Sequence, residues 1–320
     1  MAWLTGWSYR KPITISNAAT DYQTKITVYY GSGTDGDNYV YCNSRCKTDF
    51  GDIRFTKSDG TTLLDIWRES KTDSGNAVFW VENDGTPQTS GYIYYGNSGA
   101  TYPYLSSELA HGQATFLFFD DFDDNDISDW TQVQGTFTAA NGFISNDSSV
   151  LSRIKKAFND SGGLAYEIKI RGTESGQYAW AGIQIRSPTT DYFGGQGYDQ
   201  GYLCLIYTPT GNAVRVYKAT AGTVSLLVST SYTFSLNTWY KFKVTYLSGT
   251  IKTYINDALV NSVTDTTYTT GEVIRIWNTD MSLNHDFDNI FVHKYASTEP
   301  TFTFGTEQTT YQRTVGFIIG

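Results

Sequence analysis

Apolar and polar residues alternate along most of this chain with a period of two. KPITIS, KITVYY, DIRFTKS, AVFWVE and YIYYGN carry the pattern through the first third. That period puts successive side chains on opposite faces of a strand. Turn signals fall between the runs, at Gly31-Ser32-Gly33, Asp35-Gly36, Ser58-Asp59-Gly60 and Asp84-Gly85. A second set starts at TFLFFDDF. It continues through LAYEIKIRG, YAWAGIQIRS, GYLCLIYTP, AVRVYKA, VSLLVSTS, TWYKFKVTYL, TIKTYIND, ALVNSV, EVIRIWN and DNIFVHKY. Antiparallel sheets with one wet face alternate in this way. Only YLSSELAHG and SRIKKAF have room for a turn or two of helix. The pattern predicts an all-β protein. An N-terminal β-sandwich domain covers residues 1–105, and a jelly-roll β-sandwich covers 115–297. Residues 298–320 form a C-terminal β tail ending in Phe317-Ile318-Ile319-Gly320. Its expected place is either on its own domain or, as an assembly strand, on a neighbouring subunit.

Composition narrows the partners. Hydrophobic residues make up 40% of the 320, enough for a packed core without staples. Aromatics reach 16%, 25 of them tyrosines, while only 17% of residues are charged. Such surfaces suit sugars or other proteins. The net charge is −9 and no basic stripe is present, so nucleic acid is not an expected partner. No apolar run approaches the roughly eighteen residues of a membrane span. The first residues, MAWLTGWSYRKP, lack a charged region followed by an apolar run. Cys42 and Cys46 lie close together in YCNSRCKTDF. A local disulfide is one reading and needs an oxidising compartment. Cys204 in GYLCLIY reads as a small buried hydrophobe.

Two resemblances follow from particular motifs. Trp7-Ser8-Tyr9-Arg10-Lys11-Pro12, Asp49-Phe50-Gly51-Asp52-Ile53-Arg54-Phe55, Trp67 and Tyr92-Ile93-Tyr94-Tyr95-Gly96-Asn97 resemble a β domain of unassigned function from archaeal and bacterial surface proteins. Phe119-Asp120-Asp121-Phe122 with Trp130, Thr238-Trp239-Tyr240 with the hairpin through Asp257, and Asp286-Phe287-Asp288-Asn289-Ile290 resemble the concanavalin A-like (laminin G-like) jelly roll. That fold includes lectins, sugar-binding and adhesion modules and glycan-cleaving enzymes, so fold alone leaves function open.

The chemistry favours binding over turnover. A glycosidase needs two carboxylates facing one another across a cleft. The Glu-x-Asp-x-x-Glu strand of the fold's retaining enzymes is absent. The Gln-x-His strand of its lyases is matched by Gln184-Ile185-Arg186, with Arg in place of His. The three histidines suggest no catalytic triad. Trp180, Arg186, Tyr192 and Tyr198 supply aromatic faces and a cation in a glycine-loosened stretch, and they are the candidate ligand-binding residues. The aspartates from Asp120 fail the EF-hand test, because Asp126 stands where Gly is required and Gln132 where Glu is. The concanavalin-like resemblance instead implies a structural calcium held by Asp288 and Asp286 with Asp120 and Asp121. The sequence thus predicts a non-enzymatic surface protein on a virion or cell envelope. It would form homo-oligomers and display a glycan- or protein-binding jelly roll. A secreted carbohydrate-binding module or glycan-cleaving enzyme is the alternative.

Overall fold

The computed structural model describes residues 2–146, 151–173, 179–191, 198–208, 212–220, 222–278 and 284–310. The chain divides into two compact units, residues 1–116 with 298–320, and residues 117–297. One helix accompanies the strands among the described residues. It is too short to cross a membrane.

The first unit is a two-sheet sandwich. Its strands are β1 (Tyr9–Ser16), β2 (Tyr22–Tyr29), β3 (Tyr39–Tyr41), β4 (Arg54–Lys57), β5 (Ile66–Lys71), β6 (Asn76–Asn83) and β7 (Ser90–Tyr95). One sheet runs β3-β2-β6-β5. The other runs β4-β7-β1 and continues into the end of the chain. Inward positions such as Ile13, Ile26, Val28, Phe55, Phe79 and Ile93 form the core between the sheets. Helix α1 (Glu108–Thr115) follows, with Ser107 Oγ capping the Ala110 N–H at 3.1 Å. Two of the resemblance motifs meet at a buried carboxylate. Asp52 accepts the N–H groups of Lys47, Gly96 and Asn97, which ties DFGDIRF to YIYYGN. Cys42 and Cys46 are free thiols packed in this core, so the disulfide reading is not realised here.

The second unit carries β8 (Phe118–Asp120), β9 (Thr131–Gln134), β10 (Phe137–Ala140), β11 (Phe143–Asn146), β12 (Ser152–Asp160), β13 (Leu164–Gly172), β14 (Ala179–Ser187) and β15 (Gly201–Thr208). It goes on with β16 (Ala213–Thr220), β17 (Thr223–Ser231), β18 (Tyr240–Leu247), β19 (Thr250–Ile255), β20 (Ala258–Thr264), β21 (Gly271–Asn278) and β22 (His285–Lys294). A seven-stranded sheet runs β17-β16-β15-β14-β21-β12-β9. An eight-stranded sheet runs β10-β11-β22-β13-β18-β19-β20, with β8 also on β22. Ile154, Ile183, Cys204, Val216 and Ile276 from one sheet meet Ile168, Phe242, Val244 and Ile290 from the other. SRIKKAF is strand, not helix. Ser152 to Ala157 pair residue by residue with Asn278 to Val273, and the sheet pairing overrides the local helical spacing.

The tail also departs from expectation. After β22 the chain returns to the first unit as β23 (Thr301–Phe304) and β24 (Gln308–Thr309), both paired with β1. Phe302 is fully buried in the first unit's core. The stretch 298–310 is therefore an edge of the first sandwich, and the second unit is inserted into the first. Residues 311–320, including the apolar run at 317–319, lie outside the described residues.

Candidate binding face

The site is built on the outer face of the seven-stranded sheet. Pairing register fixes which side chains share it. Trp180 faces Tyr207, Gly182 lies between Leu205 and Trp277, and Gln184 lies between Leu203 and Arg275. Arg215 and Tyr217 pair with Leu205 and Leu203, and Arg153 and Lys155 pair with Trp277 and Arg275. The inward residues of the same strands go to the core.

One half of this face is aromatic. The Trp180 indole stacks on Tyr217 at 5.3 Å with 16° between planes, and Tyr207 meets it edge-on at 5.1 Å. The Arg215 guanidinium sits 5.2 Å from the Trp180 ring and 5.0 Å from Tyr207. It also donates to the Tyr217 hydroxyl at 3.1 Å and to Ser229 Oγ at 3.2 Å, so its position is fixed. Tyr198 stacks on Trp277 at 5.6 Å. Trp277 is fully buried, whereas Trp180, Tyr198 and Arg215 are partly buried. Gly182 lies in the middle of this surface. A Cβ there would stand 2.1 Å from the Cys204 carbonyl oxygen, so no side chain fits.

The other half is an ion-pair network. Arg153 binds Asp199 at 2.8 Å with both groups fully buried. Arg275 reaches Asp191 at 2.7 Å and Asp199 at 3.4 Å, and Lys155 reaches Asp191 at 2.6 Å. Burial opposes ionisation of Asp191, yet Lys155 and Arg275 hold its carboxyl below the usual range. Gln184 joins the halves. It accepts from the Trp277 indole N–H at 2.9 Å and donates to the Asp199 carbonyl at 2.7 Å.

Of the four sequence-predicted ligand residues, Trp180 and Tyr198 lie on this face. Tyr192 lies outside the described residues. Arg186 does not face a ligand. The register of β14 on β21 slips between Gln184 and Ser187, and Arg186 takes a positive φ of 55°. This bulge turns its side chain to the other side of the sheet. There it pairs with Asp160 at 2.7 Å, both groups fully buried, over the Tyr246 ring at 4.1 Å. Tyr207, Arg215, Tyr217 and Trp277 escaped the sequence reading. Their signal was present: large aromatic or Arg side chains at the outward positions of strands already recognised.

The four aspartates proposed for calcium do not fit a calcium site. Asp120 accepts from the Trp130 indole at 2.7 Å and lies 3.4 Å from Lys156. Asp286 pairs with Arg171 at 2.5 Å and accepts from Ser145 at 2.6 Å. Asp288 pairs with Lys169 at 3.3 Å. Three of the four carboxylates are thus already balanced by cations. Among the described residues no three His, Cys, Asp or Glu side chains converge to hold a metal. Asp121 is the exception in charge, with burial raising its pKa to about 6.

Against this geometry the family comparison is informative. The model of the 3-keto-alpha-glucoside-1,2-lyase-like domain matches residues 118–293, more than half of the chain. The chain belongs to that family. The matched span runs from β8 nearly to the end of β22, so this lyase-like domain and the second unit coincide. A domain of unknown function (DUF2341) matches residues 49–133, from the DFGDIRF motif into the start of the second unit. No curated protein matches the chain. Similar solved structures include the carbohydrate-binding module CBM66 from Bacillus subtilis, at 21% identity and TM-score 0.44, covering 53% of this chain and 98% of that one. A xylan beta-1,4-xylosidase from Bacillus halodurans is similar at 14% identity and TM-score 0.41, over 55% of this chain and 39% of the enzyme. The CBM2 module of an evolved Dit from Lactobacillus casei BL23 phage J-1 is similar at 8% identity and TM-score 0.40, over 60% of this chain and 96% of the module.

Proposed function

We propose that the lyase-like domain binds a saccharide on the aromatic half of its seven-stranded sheet. The observation that carries this reading is the partly buried Trp180 indole on the outer face, stacked on Tyr217 beside the Arg215 guanidinium. A flat ring suits the apolar face of a pyranose, and a fixed cation suits its hydroxyls. The family's description, a lyase acting on a glucoside, supports the ligand class.

We propose binding without turnover. A 1,2-elimination on a 3-keto-glucoside removes the C2 proton, which the ketone acidifies, and breaks the bond from C1 to the departing oxygen. The step needs a base for the proton and an acid for the leaving group. Asp191 and Asp199 are the carboxylates set among the outward side chains, and both are held by Arg or Lys. The family description favours turnover as the second reading. The wider setting we propose is extracellular, on a cell envelope or virion, with self-assembly of the chain.

Glycan-array and calorimetric binding test the proposal, together with incubation with a 3-keto-alpha-glucoside. The expected result is saccharide binding that weakens about tenfold or more in Trp180→Ala, with no product released. Absence of binding to any glycan would sink the binding reading. Release of product would replace it with the second. Light scattering of the full chain reads assembly, and a monomer at all concentrations ends that part.

A further inference from the structure

A second site lies on the opposite sheet. The β18–β19 hairpin pairs Thr245 with Lys252 and Leu247 with Thr250, so these four side chains share one face. It is the outward face, because Val244, Tyr246 and Ile251 between them go to the core. The chain leaving β22 crosses the hairpin's end. Tyr295 donates its N–H to the Gly163 carbonyl at 3.0 Å. Only glycine allows this approach, since a Cβ on Gly163 would stand 2.3 Å from the Tyr295 carbonyl oxygen. Together Thr245, Leu247, Thr250, Lys252, Tyr295 and Ser297 line a cavity of about 220 Å³.

The lining has a consistent chemistry. It holds one ammonium group and four hydroxyls, and no carboxylate. Thr245 is 2% exposed, and its hydroxyl has no hydrogen-bond partner among the described residues. A buried hydroxyl left unpaired is costly and calls for an occupant. No carboxylate lines the cavity beside Lys252, although the chain as a whole carries a charge of −9. A cation and convergent hydroxyl donors, shut away from acidic groups, match an oxyanion. The volume lies below the roughly 300–1,000 Å³ of a drug-sized site, so the group is small.

We propose that this cavity binds a small oxyanion, with Lys252 supplying the charge and Thr245 a buried hydrogen bond. Inorganic sulfate and the carboxylate of an acidic monosaccharide share the required chemistry. The site is separate from the Trp180 face and stands or falls without it.

The test uses the full chain. Thermal shift and calorimetry are run with sodium sulfate and with sodium glucuronate, each against sodium chloride of equal ionic strength. The expected result is a saturable rise in Tm with at least one of the two anions beyond the chloride control. Lys252→Met should weaken the apparent affinity about tenfold. Thr245→Val, nearly isosteric, should weaken it without lowering the Tm of the anion-free protein. A response to sulfate alone identifies a free inorganic anion, and a tighter response to glucuronate identifies an acidic sugar. Shifts that follow ionic strength alone, or that persist unchanged in Lys252→Met, overturn the proposal. Binding of neutral saccharides should be the same in both variants, which separates this site from the aromatic face.

Discussion

Arg186 and Asp160 form an ion pair of 2.7 Å in the interior of the second unit, with neither side chain exposed. The pair is further held by the Arg186 backbone N–H, which donates to the same carboxylate at 2.6 Å, and by the Tyr166 hydroxyl. Removing one member of such a pair leaves a buried charge without its partner. Arg186→Met should therefore destabilise the second unit by about 3–5 kcal/mol in urea unfolding. Saccharide affinity of the folded fraction should be unchanged. A variant of native stability that loses the saccharide would return Arg186 to the binding face.

Gly182→Ala tests the closeness of two backbones beneath the candidate site. The added Cβ meets the Cys204 carbonyl oxygen at 2.1 Å and the Leu205 Cα at 3.0 Å, and neither can swing away. A loss of about 1–3 kcal/mol is expected from such overpacking. Weaker saccharide binding should accompany it, because Trp180 two residues earlier shares that face. An alanine variant as stable as the parent would contradict the strand spacing described.

His111 predicts acid sensitivity of the first unit. Its Nε2 accepts the N–H groups of Tyr104 and Leu105 at 3.1 and 3.2 Å, and its Nδ1–H donates to the Ile66 carbonyl at 2.8 Å. A proton on Nε2 would face two donors. Burial, with Arg54 and Arg68 nearby, lowers its pKa to about 4. The unfolded value is near 6.5, so the unfolded chain binds the proton first. The contribution of neutral His111 is complete above about pH 6.5 and is lost as pH falls through 4, up to about 3 kcal/mol. His111→Asn should flatten that slope in a pH series of urea midpoints. An unaltered slope would assign the acid loss to other groups.

Glu82 works in the opposite sense. Burial, then the charges of Asp65, Asp21 and Asp84, raises its pKa to about 7. Its ionised form is the unfavourable one, so stability falls as pH rises from about 4.5 to 7 and is level above that. Glu82→Gln should stabilise the first unit by about 1 kcal/mol at pH 8 and by nothing at pH 4. Equal effects at both pH values would refute the assignment.

Chelation should leave the second unit's Tm unchanged, because Asp120, Asp286 and Asp288 are balanced by Lys156, Arg171 and Lys169. Asp286→Asn should cost about 1 kcal/mol through loss of the Arg171 pair, with or without chelator. A chelator-induced fall in Tm would restore a metal to this edge of the sheet.

Much of the architecture was written in the alternation. KPITIS, AVFWVE, YIYYGN and the long runs from LAYEIKIRG onward became strands because one face of each is apolar and finds a core. Short edge strands such as β3 and β9 have too few residues to show a period. Arg186 was chosen for its charge in a glycine-rich stretch, and the residue types there do not show the register slip between Gln184 and Ser187 that takes it off the binding face. Trp180 was legible as an aromatic near a glycine-rich segment. Arg215 and Tyr217 were legible as outward side chains of a strand, but their place beside Trp180 was not, since only the pairing of β15 with β16 brings them there. The resemblance that implied calcium at Asp120, Asp121, Asp286 and Asp288 carries no information on Lys156, Lys169 and Arg171, which reach three of them from other strands.

The insertion of the second unit governs the order of events on the ribosome. Strand β1 precedes the second unit in the chain, and its partner Thr301–Phe304 follows it. Until that segment emerges, β1 keeps an unpaired edge and the core beneath it lacks Phe302. The segment between them, 117–297, is a compact unit of its own, and domains generally fold as units as they are made. Synthesis therefore delivers the whole of the second unit before the first unit has its last edge strand.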